Sequence, residues 1–299
     1  MRIVGVLLLL LVGVMAWQHF RYLQIRRDIV QDQQPLVYPG ETFHAVTFLE
    51  VEEGSDIVEE VGVLKRVLES SGEAKVVYAG QAALVPLESS QLGPASWNAV
   101  LLVSYPSREV FDRISTEATT RDALASFHRH YTHGMKRPVL TNLLLPQILL
   151  GIRILDIARG NWRMAELDPM PITPENEQQA AEFQDRKEKL LSLSEVNDEA
   201  LVVFNLVLRG NEKEREANRS YGGQMLARMA ALAHGPMHAA SAVTVEGDAR
   251  FEEIAIVYYP GVDYFTRMIG SRFFQGIVGG KQLGDTMAVP TVPILDKLQ

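Results

Sequence analysis

The sequence contains no cysteine, which excludes disulfide bonds, zinc–thiolate sites and catalysis by a thiol. It also has no dense run of lysine or arginine, and its formal net charge is -8. Because a nucleic-acid partner requires a basic surface, we expect the protein to bind no nucleic acid. Glycine-rich phosphate loops and the sequence signatures of serine hydrolases and zinc proteases are missing as well. We therefore predict no cofactor and no metal, and whether the protein is an enzyme stays open.

An apolar run from Ile3 to Trp17 is the first feature that the sequence does have. Such a helix spans roughly 22 Å, so it must continue through residue 23 to cross a hydrocarbon core of about 30 Å. We predict that residues 1–32 form a single-pass membrane anchor with a juxtamembrane segment, which contacts lipid through residues 3–23. A bacterial inner membrane fits this pattern, and the side on which the remaining chain lies is left open. The alternative is a signal peptide, removed by cleavage after residue 16.

Two later stretches match each other at one spacing. Trp97–Ser107 and Phe251–Gly261 both consist of an aromatic residue, an apolar run, Tyr-Pro and a small residue. Upstream of each lies a β-rich segment followed by a helix with apolar residues at helical spacing. The pattern predicts the order strand, helix, strand, strand, helix, strand twice, in a first repeat at 42–146 and a second at 197–299.

The strands of this pattern are apolar on both faces. Val100–Val103 and Ile254–Tyr259 do not alternate with polar residues, as a sheet with one solvated face requires. Each repeat can cover one face with its own helices, and the sister sheet can cover the other. We therefore predict an α+β fold of two ferredoxin-like repeats paired sheet to sheet, as a barrel within one chain and as a monomer.

The Tyr-Pro strand with its following helix, together with Ser271–Gln275 in the second repeat, resembles the family called domain of unknown function 1330. In the first repeat Thr116–Arg121 stands where that second element is expected. The resemblance implies membership of the dimeric α+β barrel superfamily, in which ferredoxin-like domains pair through their sheets. That superfamily includes cofactor-independent monooxygenases, isomerases, cyclases and haem enzymes, so the resemblance implies a fold and carries over no catalytic residue.

A helical linker is predicted at 147–196. Its first helix, Gln147–Arg159, is too short and too charged to span a membrane. It either packs on the barrel or lies in the membrane interface. Three prolines follow, and a second helix is expected from Glu175 to Ser192.

The densest group of polar residues is His128–His133. We expect a helix there, on which His130 and His133 share a face and could hold a metal or haem iron. The alternative is a solvated helix end. The full set of candidate ligand-binding residues is His44, Tyr105, His128, His130, His133, Tyr259 and Arg267.

Three functions remain open. The first is a membrane-associated protein that binds an apolar small molecule, or a cofactor-independent enzyme of the dimeric α+β barrel type. The second is a non-catalytic scaffold tethered to a membrane, and the third is haem or metal binding through the histidines. For the first function, we expect the pocket under the helices of the first repeat.

Overall fold

The computed structural model describes residues 2–84, 86–94, 96–162, 166–171, 198–232, 235–278 and 285–298, with seven further positions between 177 and 188. The described strands are β1 (Phe43–Glu50), β2 (Lys75–Ala82), β3 (Ala99–Tyr105), β4 (Arg129–Lys136), β5 (Leu201–Leu208), β6 (Pro236–Thr244), β7 (Glu253–Tyr259) and β8 (Asp285–Pro293). The described helices are α1 (Arg2–Gln24), α2 (Ile57–Glu69), α3 (Arg108–Thr116), α4 (Ala118–Ala125), α5 (Val139–Ala158), α6 (Glu212–Leu232), α7 (Gly261–Ile269) and α8 (Arg272–Ile277). Most of the linker helix expected at 175–192 lies outside the described residues.

These strands form one closed antiparallel barrel in the order β1-β3-β2-β8-β5-β7-β6-β4. The first half of the chain contributes the sheet β4-β1-β3-β2, and the second half contributes β8-β5-β7-β6. Hydrogen-bonded edges join the two sheets, β2 to β8 and β4 to β6. The prediction of an α+β barrel within one chain is therefore confirmed.

Apolar side chains pack on both faces of the barrel wall. On β1, Val46 and Phe48 point into the barrel, whereas Ala45 and Leu49 pack under the helices of the first half. Tyr259 on β7 packs in the same way under the helices of the second half. Because neighbouring residues of a strand face opposite sides of the sheet, strands that are covered on both sides have continuous apolar sequences.

A segment between α1 and β1 closes one end of the barrel. We call residues 25–38 the plug; it begins with a π-helical turn, Ile25–Ile29. Val30 is fully buried in the barrel's interior core, and the backbone N–H of Gln33 donates to the carbonyl of Val77, at 2.8 Å. Residues 25–32, which the sequence assigns to the juxtamembrane segment, are therefore part of the barrel's packing.

Two helices outside the barrel expose apolar side chains. α1 has 23 residues, and its Leu9 and Phe20 are 74% and 69% exposed. Among the described residues, α5 is long and apolar enough to cross a membrane, judged by length and composition alone. The two helices touch, since the Gln147 side-chain amide donates to the carbonyl of Met15, at 3.2 Å.

Two local expectations are wrong. The segment expected to be a helix at His128–His133 is a bend followed by β4, because Tyr131, His133 and Met135 alternate into the barrel. The extended segment expected to end near Pro146 is the interior of α5, which begins at Val139 and not at Gln147. α5 therefore has 20 residues. It is longer than the predicted helix Gln147–Arg159, which is too short to span a membrane.

Candidate functional site

A groove of about 400 Å³ lies between the helices of the first half and the edge of its sheet. We call it the α4–β4 groove. Its lining residues come from α3, α4, β4 and the turn after β6, and they are Phe111, Ser115, Arg121, Leu124, His130, Thr132, Val245 and Glu246. The volume is within the range of small-molecule sites in proteins, about 300–1,000 Å³.

Strand alternation on β4 directs His130 and Thr132 into this groove. The odd-numbered residues Tyr131 and Met135 belong to the interior core, so the even-numbered side chains face the helices. Glu246 is held in place because the backbone N–H of Thr132 donates to its carboxylate, at 2.7 Å. The groove therefore has a polar group fixed by the backbone next to an imidazole.

His130 and Glu246 form an ion pair when the imidazole is protonated. Nδ1 of His130 lies 3.2 Å from Oε1 of Glu246, and this carboxylate raises the pKa of His130 above its usual value. The exposed Arg121 adds a second positive group, while Phe111 and Leu124 supply apolar walls. The groove can thus hold an apolar body, bind an acidic group and exchange a proton at His130.

A second group of ionisable residues is buried where the plug meets the barrel. We call Arg26, Asp32, Tyr38, His44, Arg137 and His238 the buried polar cluster. The Arg26 guanidinium donates to the Asp32 carboxylate, and Nε2 of His238 lies 2.9 Å from Oδ2 of Asp32. Burial acts to raise the pKa of Asp32, but the charges and hydrogen bonds of Arg26 and His238 together outweigh burial and hold that pKa below its usual range.

Arg137, Tyr38 and His44 form the other side of this cluster. The Arg137 guanidinium lies over the Tyr38 ring, 5.2 Å from its centroid, and donates to Oδ1 of Asn142 at 2.9 Å. The rings of Tyr38 and His44 meet edge to face at 5.1 Å. Burial, reinforced by Arg137, lowers the pKa of His44 to about 2, so this imidazole is neutral near pH 7.

The three histidines of the expected metal or haem site do not converge. His128 is exposed before β4 begins, His130 faces the groove, and His133 lies inside the barrel, where Nδ1 is 2.7 Å from the Tyr131 hydroxyl. Residues three apart, such as His130 and His133, lie on opposite faces of a strand, whereas on a helix they share a face. Among the described residues, no group of three or more His, Asp or Glu could hold a metal ion.

The remaining candidates lie away from both the groove and the cluster. Tyr105 is buried against Phe111 under the first-half helices, and Tyr259 is buried against Phe265 under those of the second half. Burial raises the pKa of both phenols. The Arg267 side chain is 63% exposed and pairs with Asp263 on α7. Of the predicted residues, the structure thus brings His130 to the groove and His44 to the buried polar cluster.

Several residues of the two sites escape sequence reasoning. Glu246 and Arg121 lie more than 100 residues apart in the sequence and meet only because β4 pairs with β6. Arg26 and Asp32 follow an apolar run and look like ordinary juxtamembrane charges. His238 gives a weak signal, because it is a lone imidazole in the small-residue strand β6.

Comparisons with known proteins find no family for this chain and only distant structural likenesses. No protein-family model matches the chain, and no curated protein matches it in sequence. Among solved structures, an anthrone oxidase-like protein is 7% identical with a TM-score of 0.46, covering 85% of this chain and 92% of that one. Chlorite dismutase from Candidatus Nitrospira defluvii, in complex with imidazole, is 10% identical with a TM-score of 0.43, covering 88% and 95%. These likenesses carry no argument about activity.

Proposed function

We propose that this protein binds a small molecule with an apolar body and one acidic group in the α4–β4 groove. The observation that carries the proposal is the groove itself, about 400 Å³ in volume, which combines apolar walls with the His130–Glu246 pair. Small-molecule sites are commonly apolar concavities with a few converging polar groups. Arg121 at the rim is suited to the acidic group.

Enzymatic turnover at this site rests on His130. An imidazole oriented by a carboxylate is a common general acid or base. The Glu246 carboxylate raises the pKa of His130, so this imidazole stays protonated to a higher pH than that of a free histidine. If the protein is an enzyme, the reaction that we propose is a cofactor-independent proton transfer by His130.

We further propose that α1 holds the protein at a membrane. Two features support this part of the proposal: the helix has 23 residues, and its apolar side chains are exposed along most of its length. A helix of that length reaches about 35 Å, which is enough for the hydrocarbon core of a bilayer.

We also propose that the two halves are diverged copies of one domain of the type called domain of unknown function 1330. The support is the matching spacing of Trp97–Ser107 and Phe251–Gly261, and the same order of strands and helices in both halves. On this view the copies have diverged in the helices, because α4, which lines the groove, has eight residues and its counterpart α8 has six.

The experiment that tests the groove uses 2-naphthoate, a water-soluble aromatic acid, titrated calorimetrically into the full chain in a non-denaturing detergent. We expect the wild type to bind it and Ser115→Phe to weaken binding at least about tenfold, because the new ring fills the groove. Ser115 is partly exposed and its hydroxyl donates to the carbonyl of Asp112 within the same helix. The substitution therefore leaves the core intact.

Ser126→Phe is the matched control. Ser126 also donates its hydroxyl to a carbonyl three residues earlier, that of Ala123, but it does not line the groove. We expect this variant to bind 2-naphthoate as the wild type does. No binding to the wild type, or equal binding to the wild type and Ser115→Phe, contradicts the proposal.

The exposed face of α5 favours a second candidate function, a scaffold that presents an apolar surface. Leu140, Leu144, Ile148 and Leu155 follow one side of the helix, and all are exposed. An apolar stripe of this kind is typical of a helix that contacts a membrane or a partner.

A further inference from the structure

We infer that the buried polar cluster binds a small inorganic anion, of about the size of chloride, beside Arg137. This site is separate from the α4–β4 groove and does not depend on the proposed function. It lies at the end of the barrel that the plug closes.

The charges in the cluster do not balance. Arg26 and Asp32 neutralise each other, whereas the described residues provide no carboxylate within ion-pairing distance of Arg137. Its described partners are the neutral amide of Asn142 and the ring of Tyr38. A buried guanidinium without a counter-charge is costly, and burial lowers the pKa of Arg137 to about 10.

The histidines beside Arg137 do not supply the missing negative charge. His44 and His238 can only be neutral or positive, and burial first, then Arg137, lowers the pKa of His238 to about 3. Both imidazoles are therefore neutral near pH 7. An anion is the group that completes the charge balance.

Unpartnered buried polar atoms point in the same direction. Nη1 of Arg137, the Tyr38 hydroxyl and the one ring N–H of the neutral His44 are buried donors without a hydrogen-bond partner in the described part of the chain. Arg137, His44 and His238 are each more than nine-tenths buried. Because buried polar atoms are nearly always hydrogen-bonded, this many together indicates a bound group.

The available space sets the size of that group. A cavity of about 20 Å³ lies beside Arg137, and its lining also includes Pro138, Thr141, Asn142, Leu145, Met237 and Ala239. A single water-sized particle requires about 10–15 Å³ by the same measure, so a halide fits and a phosphate does not. A metal cation is disfavoured because two arginine side chains occupy the cluster.

The test follows thermal unfolding of the full chain in detergent while chloride replaces gluconate at constant ionic strength. Gluconate is too large for the cavity. We expect the Tm of the wild type to rise with chloride concentration, because a ligand that binds only the folded state stabilises it. Arg137→Gln should remove this dependence.

Arg228→Gln is the matched control, since Arg228 is equally buried but lies in the second half, over the Phe273 ring. It should unfold at a lower temperature and keep the chloride dependence. If Arg137→Gln does not fold, ³⁵Cl line broadening by the wild type, reversed by bromide, takes its place. Equal Tm in chloride and gluconate, chloride dependence that survives Arg137→Gln, or no line broadening overturns the inference and leaves water as the occupant.

Discussion

Buried histidines are the residues whose surroundings differ most from what the sequence indicates. His44, His133 and His238 are all within 1% of full burial, and burial lowers their pKa values to about 2, 4 and 3. The unfolded chain keeps values near 6.5. The folded state therefore binds fewer protons than the unfolded state between about pH 2 and pH 6.5.

We expect the free energy of unfolding to fall as the pH falls below about 6.5. Each of the three histidines contributes up to about 1.4 kcal/mol per pH unit, so together they contribute about 4 kcal/mol per unit. Denaturant unfolding followed between pH 7 and pH 5 measures this slope. His44→Gln should reduce it by about a third, whereas His130→Gln should not reduce it, because Glu246 raises the pKa of His130 and protonation of His130 favours the folded state. A slope that is the same in all three proteins contradicts the assignment of His44.

At this scale, sequence identifies residue types but not their surroundings. His44 and His130 are both candidates from the sequence, yet the first enters the buried polar cluster and the second enters the groove. The face of the sheet on which a side chain lies depends on where the strand begins. The sequence predicts a helix at His128–His133, so it does not give the start of β4. Charges such as Arg26 acquire a buried partner only through the path of the plug.

At the scale of elements, the seam between β2 and β8 joins the two halves. Thr291 on β8 donates its hydroxyl to the carbonyl of Val202, at 3.0 Å, and lies 2.8 Å from the Tyr78 hydroxyl. Gly80 leaves room for this contact, because a Cβ added there lies only 2.6 Å from Oγ1 of Thr291 and 2.7 Å from the hydroxyl of Tyr78.

Gly80→Ala should therefore destabilise the protein by about 1–3 kcal/mol, since the extra methyl group forces the seam apart. Denaturant unfolding measures the change. Gly222→Ala is the control, because no atom lies within 4 Å of a Cβ added there and alanine favours the α6 helix by up to about 1 kcal/mol. A seam that accommodates alanine without loss would mean that the two halves are joined less closely than the contacts indicate.

Most elements of the barrel can be predicted from the sequence, because apolar runs and Tyr-Pro boundaries mark the strands. The exceptions are β4 and the start of α5. β4 carries histidines, arginine and lysine, so its polar composition hides the alternation of Tyr131, His133 and Met135. Pro146 suggests an end of structure, but proline can be accommodated within a helix at the cost of one hydrogen bond.

At the scale of the molecule, the plug links α1 to the barrel. The plug is mostly polar, and nothing in its sequence indicates that it closes a barrel. The sequence alone therefore predicts that a fragment from about Gln33 onward folds. That fragment lacks Arg26, Val30 and Asp32, all of which are buried. The closed barrel itself could be predicted, since both faces of its strands are apolar.

We expect a fragment that begins at Ile25 to fold as a monomer and to leave the membrane fraction, whereas the full chain resists extraction with carbonate. A fragment that begins at Gln33 should be less stable than the first by at least about 3 kcal/mol, because it leaves His238 without its partner Asp32 and removes the buried side chain of Val30. Fractionation, sedimentation and denaturant unfolding measure these outcomes. If the Ile25 fragment stays on membranes, the exposed face of α5 makes the contact; if the Gln33 fragment is equally stable, the plug is not part of the core.

The two seams of the barrel also determine how much of the chain must be synthesised before the barrel can close. β2 pairs with β8 and β4 pairs with β6, so the first half, once synthesised, has two unpaired strand edges and an uncovered apolar face. Unpaired edges of this kind are where chains aggregate. The exposed interval lasts until β8 emerges, and a chaperone that binds extended apolar strands would act within it.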